Sequence, residues 1–204
     1  MNRIILKANA SSKVKERIFP FAMAIIAFFL SQGILSSLSK SASVLFSLFI
    51  TSTVYYGINF MCLKTSRNED VEFFDVFFGF KNFWNVFLLN FFSQLFVYLW
   101  SLLLFVPGII ANISYSFAPF IMADNPGISA LDAISLSKKM TNGHKADLFI
   151  LSLSFFPWFI LGFITLGIGF CYVVPYYKTT YAIYYNEVKN DTVFIKQERE
   201  FELW

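Results

Sequence analysis

The chain has 204 residues and a formal net charge of +3; 57% of it is hydrophobic, 21% aromatic and only 14% charged. A soluble domain carries about a quarter charged residues, and a soluble core of this length could not hide so many apolar side chains. The small net charge gives no reason to expect a nucleic-acid partner.

A transmembrane helix needs about 20 mostly apolar residues. The chain offers runs at Ile18–Leu38, Val44–Leu63, Phe83–Val106, Gly108–Ala123, Leu148–Leu166 and Ile168–Asn186. Before the first, Ile4, Ile5 and Leu6 lie among Arg3, Lys7 and Lys13, a weakly amphipathic stretch. The first run itself is longer than the roughly 7–15 residues of a signal-peptide core, and no A-x-A site follows, so it reads as a span. Cys62 and Cys171 sit inside apolar runs without ligand spacing, which implies neither a disulfide framework nor a metal site.

Between the second and third runs, Val71–Asn82 reads as an amphipathic helix at 100° per residue, with Glu72, Asp75, Gly79 and Asn82 on one stripe and phenylalanines over the rest. Between the fourth and fifth, Ser129–Asn142 repeats the design. Asn125-Pro126-Gly127 breaks the preceding span, and Ser129 with Asp132 can form a capping box. Asp132, Ser135 and Lys139 make a narrow polar face; Ala130, Leu131, Ala133, Ile134, Leu136 and Met140 make a broad apolar one, interrupted by Ser137 and Lys138. Gly143 suits the left-handed residue after the last turn. Asp124 and Asn125 are expected to brace the start of this helix, and His144 and Lys145 to mark the return into the fifth span. Helices of this kind, set between spans, lie in the membrane interface.

Basic residues orient the spans. Arg3, Lys7, Lys13, Lys15, Arg17, Lys64, Arg67, Lys81, Lys138, Lys139, Lys145, Lys189, Lys196 and Arg199 all fall on one side of a six-span arrangement, and only Lys40 on the other. The expectation is therefore an all-α, multi-pass bundle of six transmembrane helices with two or three cytoplasmic interfacial helices, both termini cytoplasmic. Residues 1–188 form one membrane domain and residues 189–204 a cytoplasmic tail. The order of short helix, span out, tight turn and span back suggests a three-fold repeat of helix hairpins, at Arg3–Lys64, Val71–Asp124 and Ser129–Glu187.

The series Ser114-Tyr115-Ser116, Ala123-Asp124-Asn125-Pro126, Ile128-Ser129-Ala130-Leu131, Gly143-His144-Lys145, Thr165-Leu166-Gly167-Ile168-Gly169 and Pro175-Tyr176 resembles the bacterial integral membrane family catalogued as domain of unknown function 975. Pro157 departs from its pattern, which has Gly before Trp158. The resemblance implies a bacterial cell membrane and a topology, but no activity.

No Walker A loop, H-E-x-x-H or G-x-S-x-G occurs, so no catalytic group and no cofactor is expected. Lys178 is the unusual residue: on insertion scales an intramembrane Lys costs roughly 2.5–3.5 kcal/mol at a helix centre. It either faces the bundle interior beside Tyr176 and Tyr177 or snorkels to the headgroups. Asn112, with Asn59, Asn90, Gln94 and Gln32, adds intramembrane polar groups that can join helices or line a path. Pro119, Pro157 and Pro175 should bend their helices. The expected role is non-enzymatic binding of membrane lipids, another membrane protein or a membrane-active peptide, as in an exporter accessory subunit or self-protection. The alternative is a small solute or ion transporter or channel that uses Lys178 and the Tyr-rich sixth span.

Overall fold

The computed structural model describes residues 3–35, 40–103, 105–165 and 167–201, and among them every regular element is a helix. In chain order these are α1 (Arg3–Glu16), α2 (Ile18–Leu35), α3 (Lys40–Ser66), a 3-10 helix (Phe73–Asn82), α4 (Phe83–Leu103), α5 (Phe105–Ser114), α6 (Ala118–Asp124), α7 (Ala130–Met140), α8 (Lys145–Leu153), α9 (Phe156–Ile164) and α10 (Phe170–Phe201). Three stretches of the described residues are long and apolar enough to cross a membrane: Phe73–Leu102, Val106–Asp124 and Lys145–Ile164. The second of these contains the fourth expected span, and the first and third overlap the third and fifth. The side chain of Gln32 and part of the Ser39–Ser43 connection lie outside the described residues. α10 continues as one helix to Phe201, within the segment expected to be a tail.

Two of the expected spans are broken. Regular α-helical hydrogen bonding is interrupted at Tyr115–Phe117 between α5 and α6, and again at Ser154–Phe155 between α8 and α9, although Phe117, Ser154 and Phe155 keep right-handed helical dihedrals. Pro119 and Pro157 stand in the first turns of the segments that resume, where the missing N–H is no loss. Pro175 lies inside α10 without interrupting it.

Side chains from other helices fill both breaks. Ser137 of α7 is fully buried; its hydroxyl donates to the Ser114 carbonyl at 2.7 Å and accepts from the Phe117 N–H at 3.2 Å. Thr141 donates to the Ser137 carbonyl at 2.9 Å. At the second break, Lys7 of α1 donates to the carbonyl and the hydroxyl of Ser154, both at 3.1 Å, and its ammonium stands 4.4 Å from the Phe155 ring centroid. Burial lowers the Lys7 pKa. Backbone groups freed inside an apolar bundle must find partners, and these two helices supply them.

The 3-10 segment differs from the expected α-helix. Its period is three, so Phe73, Val76, Gly79 and Asn82 share the inward side, while Phe74, Phe77 and Phe80 form an exposed stripe. The polar stripe drawn at 100° per residue is thereby divided. A Cβ on Gly57 of α3 would meet the Val76 carbonyl oxygen at 1.9 Å, and one on Gly79 would meet the Thr53 carbonyl oxygen at 2.8 Å. The two glycines permit a backbone approach that any side chain would block. Lys64 holds Asp75 at 2.8 Å, and Asp75 accepts from the Glu72 N–H at 2.9 Å.

α7 starts and stops where its signals place it. The Ser129 hydroxyl accepts from the Asp132 N–H at 3.2 Å and meets the Asp132 carboxylate at 2.7 Å, and Gly143 has φ +86°. Its buried face is narrower than expected. Ala130, Ala133, Ile134 and Ser137 are inside, whereas Leu131 and Leu136 are half-exposed. The small side chains bring α7 close to α4 and α6, and the two leucines flank that seam.

The 3-10 helix packs on α3 and α7 on α6, each the helix that ends the preceding hairpin, and α7 lies against α4 as well; α1 packs on α10. α1 contributes Leu6, Ala10 and Val14, one residue per turn and all buried. Ser11 meets the Tyr172 hydroxyl at 2.8 Å, and Lys13 donates to the Ser66 carbonyl at 2.7 Å.

Candidate functional site

Two polar constellations lie in the bundle. The first joins the ends of α3 and α6 to the middle of α10 at Asp124, whose side chain is 6% exposed. Arg67 grips it with both terminal nitrogens, at 2.8 and 2.9 Å. Lys189 reaches it at 2.5 Å, and the Tyr185 hydroxyl donates to it at 2.8 Å. Arg67 also donates to the side-chain Oδ1 of Asn186, and the Asn186 side-chain amide donates to the Ser66 hydroxyl at 2.7 Å. The hydrogen bond with Asp124 raises the Arg67 pKa, and burial opposes it. Asp124 thus ties helix ends together and does not brace the start of α7. Asn125 turns back on its own helix, its amide donating to the Ile121 carbonyl at 3.3 Å. Pro126 is held by the Asn82 amide. His144 precedes α8 with Nδ1 3.2 Å from the Tyr184 hydroxyl, and Lys145 opens that helix.

The second constellation is a cavity of about 400 Å³ walled by α3, α4, α5, α6, α9, α10 and the α5–α6 break. Lys178 lines it together with Tyr177, Tyr55 and Asn112, and α4 adds Asn90, Ser93 and Gln94. Lys178 therefore points inward. Its ammonium donates to the Tyr55 hydroxyl at 2.5 Å and lies 4.2 Å from that ring's centroid. Tyr176 is elsewhere: it is buried against Phe155 and Trp158, with centroids 4.9 and 5.6 Å apart. Asn59 is also outside the cavity, donating to the Tyr55 carbonyl. On the α4 wall, Asn90 donates to the Val86 carbonyl at 3.0 Å.

A layer of rings separates the constellations. Phe120, on the cavity wall, stacks on Tyr185 at 5.8 Å, and Tyr185 holds Asp124. Along α10, Lys178 and Tyr185 are about 10 Å apart at 1.5 Å per residue. The geometry offers a site that binds and a closed end beneath it. Tyr55, Ser93, Arg67 and Lys189 were not singled out as site residues from sequence. Arg67 and Lys189 do lie at corresponding ends of their hairpins, and that correspondence is the signal that points to them.

The family described as protein of unknown function (DUF975) has a model that matches residues 102–192, the region where the residue pattern places the resemblance. No curated protein and no solved structure matches the chain.

Proposed function

We propose that the chain, whose residues 102–192 match the model of the DUF975 family, is a six-span protein of a bacterial cell membrane, both termini cytoplasmic, that acts without catalysis by binding a lipid or another membrane-resident molecule. The observation that carries this reading is the polar cavity inside an otherwise apolar bundle. Its volume falls in the range of about 300–1,000 Å³ usual for small-molecule sites. The outward sides of α4 and α9 expose Phe91, Leu95, Ile160 and Phe163, a surface suited to acyl chains. The packing of the 3-10 helix on α3, of α7 on α6 and of α1 on α10 supports a three-unit ring about an axis normal to the membrane.

A lipid extracted with the full chain in mild detergent, in fixed proportion and identified by mass spectrometry, is the expected result. Ser93→Trp, which fills the cavity, should release it. A chain that retains no small molecule, or a filled cavity that retains as much as before, contradicts the reading. For topology, cysteines placed at Asn142 and Asn190 should be labelled only from the cytoplasmic side; strong labelling from outside contradicts six spans.

The two broken spans favour a second reading. Discontinuous helices beside a polar cavity are a feature of transporters, and the α5–α6 break contributes Tyr115 and Ser116 to the wall. Solute or ion flux by the purified chain in liposomes would establish transport; its absence across a broad solute panel leaves binding alone.

A further inference from the structure

The cavity also specifies the charge of its occupant. Among the described residues, Lys178 is the only cation on its wall, and no Asp or Glu lines it. The partner at hand is the Tyr55 hydroxyl, which accepts a hydrogen bond and offers a ring face but is not a carboxylate. An ammonium withdrawn from water calls for an anion beside it. Around it the wall presents donors of the kind that surround an oxyanion: the Gln94 and Asn112 amides and the Ser93 hydroxyl.

We propose that the cavity binds one oxyanion, a carboxylate or phosphate group, with Lys178 as its counter-ion. The proposal rests on the binding reading above and adds the class of ligand. Such a group is presented by a membrane amphiphile or by a free solute. The volume admits a headgroup, and the charge lies well inside the bundle.

The test uses the purified full chain in maltoside micelles and reads the ligand-induced rise in unfolding temperature. The probes are dodecyl phosphate, inorganic phosphate, acetate and, as the neutral control, dodecanol. Dodecyl phosphate should raise the unfolding temperature of the wild type. Lys178→Met should bind it roughly ten- to a hundredfold more weakly, the loss of one charge-assisted hydrogen bond. Lys178→Arg should keep most of the response. Asn112→Asp keeps Lys178 but places a carboxylate on the same wall, and it should weaken binding as well, so the result does not depend on one variant folding.

A response to inorganic phosphate or acetate identifies a free anion as the source, and a response to dodecyl phosphate alone identifies an amphiphile headgroup; both support the assignment. An equal response to dodecanol, or an unchanged response in folded Lys178→Met and Asn112→Asp, overturns it and leaves an uncharged binding site. A wild type that responds to no anionic probe while still retaining a lipid overturns the anion assignment alone. A wild type that neither responds nor retains a lipid overturns both readings.

Discussion

Asp124→Ala is expected to destabilise the folded chain by about 3 kcal/mol. The carboxylate is 6% exposed and holds Arg67, Lys189 and Tyr185 at once. Its removal leaves two cations directed at the same vacated point, at the junction of three helices. Removing one partner of a fully buried pair costs about 3–5 kcal/mol. Here Arg67 and Lys189 are 32% and 42% exposed, so water takes over part of their solvation and the effect falls at the lower end. Asp124→Asn keeps the shape and one acceptor and should lose less. The paired replacement of Asp124 and Arg67 by Leu should recover part of the loss, because one of the two stranded cations is then gone and only the more exposed Lys189 faces the vacated point. Unfolding in micelles measures all three; a change below about 1 kcal/mol for Asp124→Ala would show that the junction does not hold the helices together.

Ile134→Asp is expected to lower stability by several kcal/mol, while Ser135→Asp stays within about 0.5 kcal/mol of the wild type. The two positions are neighbours on α7. Ile134 is 5% exposed in the core shared with α4 and α6, and Ser135 faces out. A carboxylate at 134 would be desolvated there, and the apolar contribution of the isoleucine, about 1.5–3 kcal/mol, would be lost as well. The segment should also lose its protection from protease. Equal tolerance of both substitutions, with protection unchanged, would mean that α7 docks through another face.

Local signals made much of α7 legible. A capping Ser, an acidic third residue and a glycine of positive φ depend only on neighbours in sequence, and the helix begins and ends on them. The inward direction of Lys178 was one of two stated alternatives, and its convergence with Asn112, Asn90 and Gln94 follows from one bundle having one interior. What was not legible depends on distance along the chain. Arg67 and Asp124 are 57 residues apart, and Asp124 and Lys189 are 65 apart; no periodicity encodes such pairs. Ser137 was visible only as an interruption of an apolar arc. Its purpose appears once the α5–α6 break stands opposite it. The segment Phe73–Asn82 misled for a different reason. A period of 3.6 does not describe it: the close approach of Gly57 and Gly79 to facing backbone favours the tighter winding, and every face shifts with it.

The packing of α1 on α10 has a consequence for biosynthesis. α1 is translated well before the surface of α10 that covers Leu6, Ala10 and Val14, and before the Ser154 groups that take Lys7. Contacts so remote in sequence form late and set the pace of assembly. α1 must therefore wait, with its apolar stripe uncovered, while the intervening helices are made. During that interval it is open to chaperones and to proteases. Docking of α1 can follow only once α10 has been made.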